Sequence, residues 1–380
     1  MRTILLLALS LMPSLAFAAD AAPPVCAAPA AMSDGWPVAP PAQVGLDPKL
    51  ICSIGPSLEG LHGADPDGVV VIRHGTLVYE HYFTDEMHYD ADTVHPIHSV
   101  TKSVVGLLVG IAFDRDWLKR LDDPVFPYFP RDADLQSLQK DRITLQDLLT
   151  MTSGLEWPES TVPDADPSNI FWQMQRASDP YRFVLTQPLA ATPGTVWNYN
   201  SGGVELLGDI LAKVSHQKLE AFARQALFDP LGIKHFAWLP SNGKPAASWG
   251  LWLRPRDLAK IGQLLLNHGN WNGQQIVSTQ WINEMVAPHV PRPSWWPSGA
   301  DEAISYGYLW WLGHLATRDR TVHWIAGIGW GGQRLYVVPS LDLVIVVTAS
   351  VETSGAPQYL AGSTALDLVV RAAIDHAHPG

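Results

Sequence analysis

The chemistry legible in this chain starts at Ser99 and Lys102, a serine three residues ahead of a lysine in the run Ile97-His98-Ser99-Val100-Thr101-Lys102-Ser103-Val104-Val105-Gly106. In a helix two such side chains share one face. A serine hydroxyl is a weak nucleophile near neutral pH and needs a positioned base, a part that a lysine can play once it has lost its proton. Lysine titrates at about 10.4 in water, so keeping it neutral near pH 7 requires its charged form to be destabilised by about 4 kcal/mol. Burial or a nearby positive charge has to do this.

Three other pairs share the spacing: Ser137/Lys140, Ser215/Lys218 and Ser241/Lys244. The first lies in a polar run, the second in a polar break between helical patterns, and the third in the turn-like Ser241-Asn242-Gly243-Lys244-Pro245. None has an apolar wall to desolvate an amine. After Ser99, by contrast, Val100, Val104, Val105, Leu107, Leu108, Val109, Ile111, Ala112 and Phe113 make a helix that is apolar nearly all round, as a buried central helix is. Ser99 is therefore the candidate nucleophile, and the competing reading is a serine that merely caps a core helix.

Two later segments suit the same pocket. Pro193-Gly194-Thr195-Val196-Trp197-Asn198-Tyr199-Asn200-Ser201-Gly202-Gly203 reads as a loop entering a helix, in which Tyr199 can act as a proton shuttle and Ser201 as a donor to substrate. Gly327-Ile328-Gly329-Trp330-Gly331-Gly332-Gln333 is glycine-rich, so its backbone can approach a ligand closely. Trp197 and Trp330, two of sixteen tryptophans, adjoin these segments and are candidates for an aromatic wall.

The elements that carry these residues follow from periodicity. Runs 69–73 and 76–82 are β-rich and separated by His74-Gly75, a hairpin. Helical patterns cover 50–61, 143–154, 202–214, 219–226 and 255–267, and strand-like runs return at 305–312, 321–325, 333–338 and 343–349 before a last amphipathic helix over 363–377. This order predicts an α+β fold: one antiparallel sheet built from both chain ends and flanked by helices, plus an inserted all-α lobe. The α/β lobe takes residues 19–98 and 303–380 and the helical lobe residues 99–302, with Ser99 at the seam, where pockets concentrate.

Residues 1–18 read as an export signal: Met1-Arg2-Thr3, an apolar run, and Ala16-Phe17-Ala18 as the small-residue cleavage pattern. The expected location is periplasmic or secreted. There Cys26 and Cys52, the only cysteines, are placed to form a disulfide. No later run of 18 apolar residues predicts membrane insertion. The formal charge of −12 disfavours nucleic acid and anionic lipid as partners. Fourteen histidines include no His-Glu-x-x-His motif, so neither metal nor cofactor is expected. A Gly-x-Ser-x-Gly elbow is also missing, which argues against an α/β-hydrolase.

Ser-x-x-Lys, Tyr-Asn-Ser and a glycine-rich segment before a late strand, in that order, resemble the β-lactamase-related serine hydrolases. That group includes class C β-lactamases, D-Ala-D-Ala carboxypeptidases, esterases of the same fold and 6-aminohexanoate-dimer hydrolases. Leu148-Leu149-Thr150-Met151-Thr152-Ser153-Gly154, Arg256-Asp257-Leu258-Ala259-Lys260, Trp271-Asn272-Gly273 and Gly331-Gly332-Gln333 are similar to further segments of the branch. The resemblance implies a β-lactamase/transpeptidase-like fold. It also implies Ser99 as nucleophile, Lys102 as its base, Tyr199 as shuttle, and an oxyanion hole from the Ser99 amide and one amide between Gly329 and Gly331. Two departures stand out: Ser201 replaces the usual asparagine, and no Lys-Thr-Gly-like triad precedes the late strand. Without that lysine a substrate carboxylate loses its usual partner, unless Arg334 or His323 stands in. The expected substrates are therefore small esters or amides. A β-lactamase or carboxypeptidase is the alternative within the family, and a penicillin-binding or sensor protein with little turnover is the alternative outside enzymes.

Overall fold

The computed structural model describes residues 26–83, 89–163, 166–241, 243–291, 302–318, 320–352 and 357–375. The predicted export segment lies outside these. Strands β1 (Pro66–Arg73), β2 (Thr76–Tyr82), β3 (Val290–Pro291), β4 (Glu302–Tyr306), β5 (Trp311–Ala316), β6 (Thr321–Gly329), β7 (Gln333–Val338) and β8 (Leu343–Ala349) form one sheet in the order β3-β4-β5-β6-β7-β8-β1-β2. Every pairing is antiparallel. The join between chain ends is β1 on β8, with Val69 opposite Val347 and Val71 opposite Ile345. All of β7 and β8 is buried, as is β1 from Asp67 to Ile72, which fits their apolar runs 69–72, 335–338 and 343–347: both faces of the sheet are covered there.

Six helices do most of the covering and positioning: α1 (Val100–Asp114), α2 (Leu145–Leu149), α3 (Ser201–Ser215), α4 (Pro255–Leu266), α5 (Thr279–Met285) and α6 (Pro357–Asp375). On one face α4 sets Gly262 against Leu335 and Val344, and α1 sets Val100 and Ser103 against Gly327. On the other face α6 sets Gly362 against the Arg334 side chain. Helix α1 is buried from Val100 to Ala112, sandwiched between the sheet and α3. The short α2 is closed at its start by a reciprocal capping box between Thr144 and Asp147.

Three placements differ from the sequence reading. Helix α4 packs on β1, β7 and β8 and β3 joins the sheet, so the stretch 99–302 is not a separate helical body. The run 305–312 is two strands, because Gly307 and Leu309 leave the ladder to bond elsewhere: the Gly307 amide donates to Trp310 O and the Leu309 amide to Leu149 O. The pattern over 143–154 yields helix only over α2. Cys26 and Cys52 are joined by a disulfide with their Cα atoms 5.6 Å apart. Among the described residues no helix is long and apolar enough to cross a membrane.

Close packing of α1 is set by its glycines. A Cβ on Gly110 would sit 2.1 Å from the Trp281 ring, whose indole nitrogen donates to Gly106 O at 3.1 Å. Ring and helix cannot both stay put, so Gly110→Ala is expected to destabilise the fold by about 1–3 kcal/mol. Urea denaturation followed by tryptophan fluorescence measures it, and an unchanged midpoint would contradict this packing.

Candidate active site

Ser99 stands just ahead of α1 in an αR conformation, and its side chain makes no capping bond to the helix. The capping alternative is thereby removed. Instead its Oγ accepts a hydrogen bond from Lys102 Nζ at 2.9 Å. The turn is held from outside the helix: the Ile97 amide donates to Leu251 O, and the Leu251 amide donates to Thr101 Oγ1 at 3.2 Å. His98, between them, has φ +45°, a conformation that costs an L-residue about 1–2 kcal/mol and here turns Ser99 out of the strand direction.

Lys102 is buried, and its ammonium has few partners. Besides Ser99 it donates to Ser248 O at 2.8 Å, and it lies over the Tyr199 ring, 4.9 Å from the centroid. Burial lowers its pKa to about 8, while the carboxylates of Glu159 and Glu205 pull it back up. This is the tuning that the Ser-x-x-Lys spacing demands. His98 is driven down to about 4 by burial, with His95 and Lys102 adding to the effect, so at neutral pH it brings no charge.

The carbonyl that receives Lys102 is itself held. Glu205 on α3 accepts from the Ala247 and Ser248 amides, each at 3.0 Å, and from Ser248 Oγ at 2.6 Å. Its burial favours the protonated acid, and these hydrogen bonds oppose that. Neither Glu205 nor Ser248 stood out in the sequence, although a glutamate inside the apolar helical pattern 202–214 was a signal.

Tyr199 reaches Lys102 because its loop is anchored on both sides. The Asn198 amide donates to Met151 O and the Asn198 side chain to Trp157 O at 2.9 Å. The Tyr199 ring stacks on Trp311 at 6.4 Å. Trp197 is 7% exposed and packs edge-on against Tyr306 and Trp311, supporting this stack from behind instead of lining the cleft. Ser201 also differs from expectation. It is buried, its Oγ donates to Glu159 Oε1 at 2.6 Å, and its amide donates to Glu159 Oε2 at 2.9 Å. Glu159 sits in a polar loop that carried no sequence signal.

The glycine-rich segment does come alongside Ser99. A Cβ on Gly329 would lie 2.6 Å from Ile97 O, so only glycine allows this approach. Trp330 is 38% exposed and meets the His98 ring edge-on at 5.4 Å. The Gly331 amide is committed to Gln358 Oε1 at 3.1 Å, which removes it from the oxyanion candidates and leaves those of Gly329 and Trp330. Neither proposed substitute cation reaches the cleft. Arg334 is buried toward α6, donating to Gly329 O, Gln333 O and Gln358 O, and His323 is exposed beside His314. A Cβ at Gly327 would meet Val100 at 2.8 Å and Ser103 Oγ at 3.2 Å, leaving no space for a longer side chain. The side chains of the other three Ser-x-x-Lys pairs are engaged elsewhere: Lys140 Nζ donates to Leu185 O, Ser215 Oγ to Ala212 O and Ser241 Oγ to Gln175 Oε1. Among the described residues no group of three or more His, Cys, Asp or Glu is arranged to hold a metal ion.

A sequence model of the beta-lactamase family matches residues 59–367, a span that contains the sheet, α1 and every group above. The chain belongs to the beta-lactamase family. It is a serine hydrolase of that family. This beta-lactamase-family chain is 27% identical over 300 residues to a 6-aminohexanoate-dimer hydrolase from Paenarthrobacter ureafaciens, covering 75% of this chain and 72% of the relative. It is 31% identical over 133 residues to a lovastatin esterase from Penicillium rubens, covering 33% and 32%. Its fold matches that of an octameric penicillin-binding protein homologue from Pyrococcus abyssi with a TM-score of 0.65 at 22% identity, covering 85% and 77%.

The electrostatics make a prediction independent of any substrate. Glu205 favours the Lys102 ammonium, so Glu205→Gln should move the Lys102 titration below pH 8. The 13C shift of reductively methylated Lys102 against pH reads this. A titration that stays put or moves up would show that Glu205 acts on the Ser248 turn alone.

Proposed function

We propose that this chain hydrolyses small esters and amides through an acyl-enzyme on Ser99. The observation that carries the reading is the 2.9 Å contact between Ser99 Oγ and a buried Lys102 whose pKa is brought to about 8. In the neutral amine one lone pair faces the hydroxyl while an N–H remains on Ser248 O. As Ser99 Oγ bonds to the carbonyl carbon, its proton passes to Lys102 Nζ. The resulting oxyanion is received by the Ser99 amide and one amide of the Gly329–Trp330 pair. The carbon–heteroatom bond then breaks, and Tyr199, against Lys102, relays the proton to the departing alcohol or amine. Water reverses the sequence and frees the acid.

The substrate class follows from charge. A penicillin or cephalosporin carries a carboxylate, and Arg334, His323 and Gly327 all fail to offer it a cation. Losing one charge-assisted hydrogen bond costs about 1.5–3 kcal/mol, or roughly one to two decades in kcat/KM. A neutral ester loses nothing. The names of two relatives, a 6-aminohexanoate-dimer hydrolase and a lovastatin esterase, support hydrolysis of small acyl substrates, the second of an ester. The reading includes export, motivated by the signal-like residues 1–18, and places the reaction in the periplasm or outside the cell.

A slow ester should add its acyl mass to the peptide containing Ser99, and Ser99→Ala should abolish both label and turnover. Lys102→Ala and Tyr199→Phe should each lower kcat by about 10²-fold or more. p-Nitrophenyl butyrate should be cleaved about tenfold more efficiently than nitrocefin, or better. Label on another serine would overturn the nucleophile. Stoichiometric labelling without turnover would mean a penicillin-binding protein, and faster nitrocefin hydrolysis a lactamase.

A further inference from the structure

The tyrosine loop is tied to a charge that the reaction above does not use. Glu159 accepts three hydrogen bonds: from Trp157 Nε1 at 2.7 Å, from the Ser201 amide at 2.9 Å and from Ser201 Oγ at 2.6 Å. Its own carbonyl accepts from Asn169 Nδ2 at 2.9 Å. All three donors to the carboxylate are neutral, and among the described residues no Lys, Arg or His forms a salt bridge with it. Its carboxylate nonetheless stands beside the reacting centre: it holds Ser201, two residues after Tyr199, whose ring centroid is 4.9 Å from Lys102 Nζ, and its charge acts on Lys102, which bonds Ser99 Oγ at 2.9 Å. The two acids differ in access. Glu205 is 4% exposed behind the Ser248 turn, whereas Glu159 is half-buried.

We propose that Glu159 is a specificity-determining residue, a fixed negative charge that excludes carboxylate-bearing substrates from the cleft and admits neutral or cationic ones. The inference rests on the ester and amide reading and deepens it: anions are rejected by a charge, and not only left without a partner. Ser201 is what makes the charge fixed. At the position where the resemblance leads one to expect an asparagine, this chain has a serine that holds Glu159. A cavity wall needing only an acceptor could use glutamine, so the charge itself is what must be tested. Unit charges at such range, in surroundings between water and protein interior, change binding by about tenfold, and salt screens the effect where solvent enters.

Three esters with one leaving group and a chain too long for ready five- or six-membered ring closure isolate the charge: p-nitrophenyl hexanoate, mono-p-nitrophenyl adipate and p-nitrophenyl 6-aminohexanoate. Wild-type protein at low salt should prefer the neutral to the anionic ester by about tenfold in kcat/KM, mainly through KM, and should accept the cationic one at least as well as the neutral. Glu159→Gln should erase most of that preference. Ser201→Ala and Glu159→Asp, which keep the charge, should retain it even where the loop loosens and all rates fall. In wild type, raising salt to the molar range should narrow the ratio. A ratio unchanged in Glu159→Gln, or indifferent to salt in wild type, overturns the proposal, and the salt series stands even if the variant does not fold. Failure of the parent reading would look different: wild type would turn over none of the three.

Discussion

Burying the ammonium of Lys102 is the constraint to which the surrounding structure answers. Holding its pKa at about 8 instead of 10.5 corresponds to about 3 kcal/mol against the charged form, and the fold has to supply the desolvation without letting the side chain swing away. Helix α1 does the first by being buried on every side from Val100 to Ala112. The Ser248 carbonyl and the Tyr199 ring do the second, each from a distant part of the chain. Lys140, which has the same spacing to Ser137, is also partly desolvated and bonds a carbonyl, that of Leu185, but its Nζ is not turned onto its serine.

Support for that arrangement is layered. Glu205 bonds three donors of the Ala247–Ser248 turn, and the turn points its carbonyl at Lys102. Asn198 pins the tyrosine loop to Trp157 and Met151, and the stack of Trp197, Trp311 and Tyr306 backs the Tyr199 ring. Glycines let the parts close up: Gly327 against Val100 and Ser103, and Gly329 against Ile97 O. The same close approach that brings the end of β6 to the Ser99 turn leaves no room for a cation at Gly327. Mechanical fit and substrate preference thus have a common origin.

Charge is distributed unevenly around the cleft. Among the described residues the buried cation beside Ser99 is the base itself, His98 is neutral at physiological pH, and Arg334, next to the glycine segment, faces α6. Carboxylates, in contrast, flank Lys102 from two elements. In a partly enclosed cleft such fields are weakly screened, which is the physical basis of the proposed discrimination against anions.

Much of this was legible in the residues alone, for a definite reason. The Ser99/Lys102 face, the apolar α1, the hairpin of β1 and β2 and the late strands are local properties, written in i,i+3 spacing and in periods of 3.6 and 2. What the sequence could not decide was direction and company. Ser201 was read as facing substrate and faces Glu159, Trp197 was read as cleft wall and is core, and 305–312 was read as one strand and breaks where Leu309 bonds to Leu149. Helix α4 carried the signature of a helix and no sign that it lies on the sheet. Lys102 is held by a carbonyl 146 residues away and tuned by burial and by two acids on separate elements. Electrostatic environment is a sum over neighbours in space, and only tertiary packing chooses those neighbours.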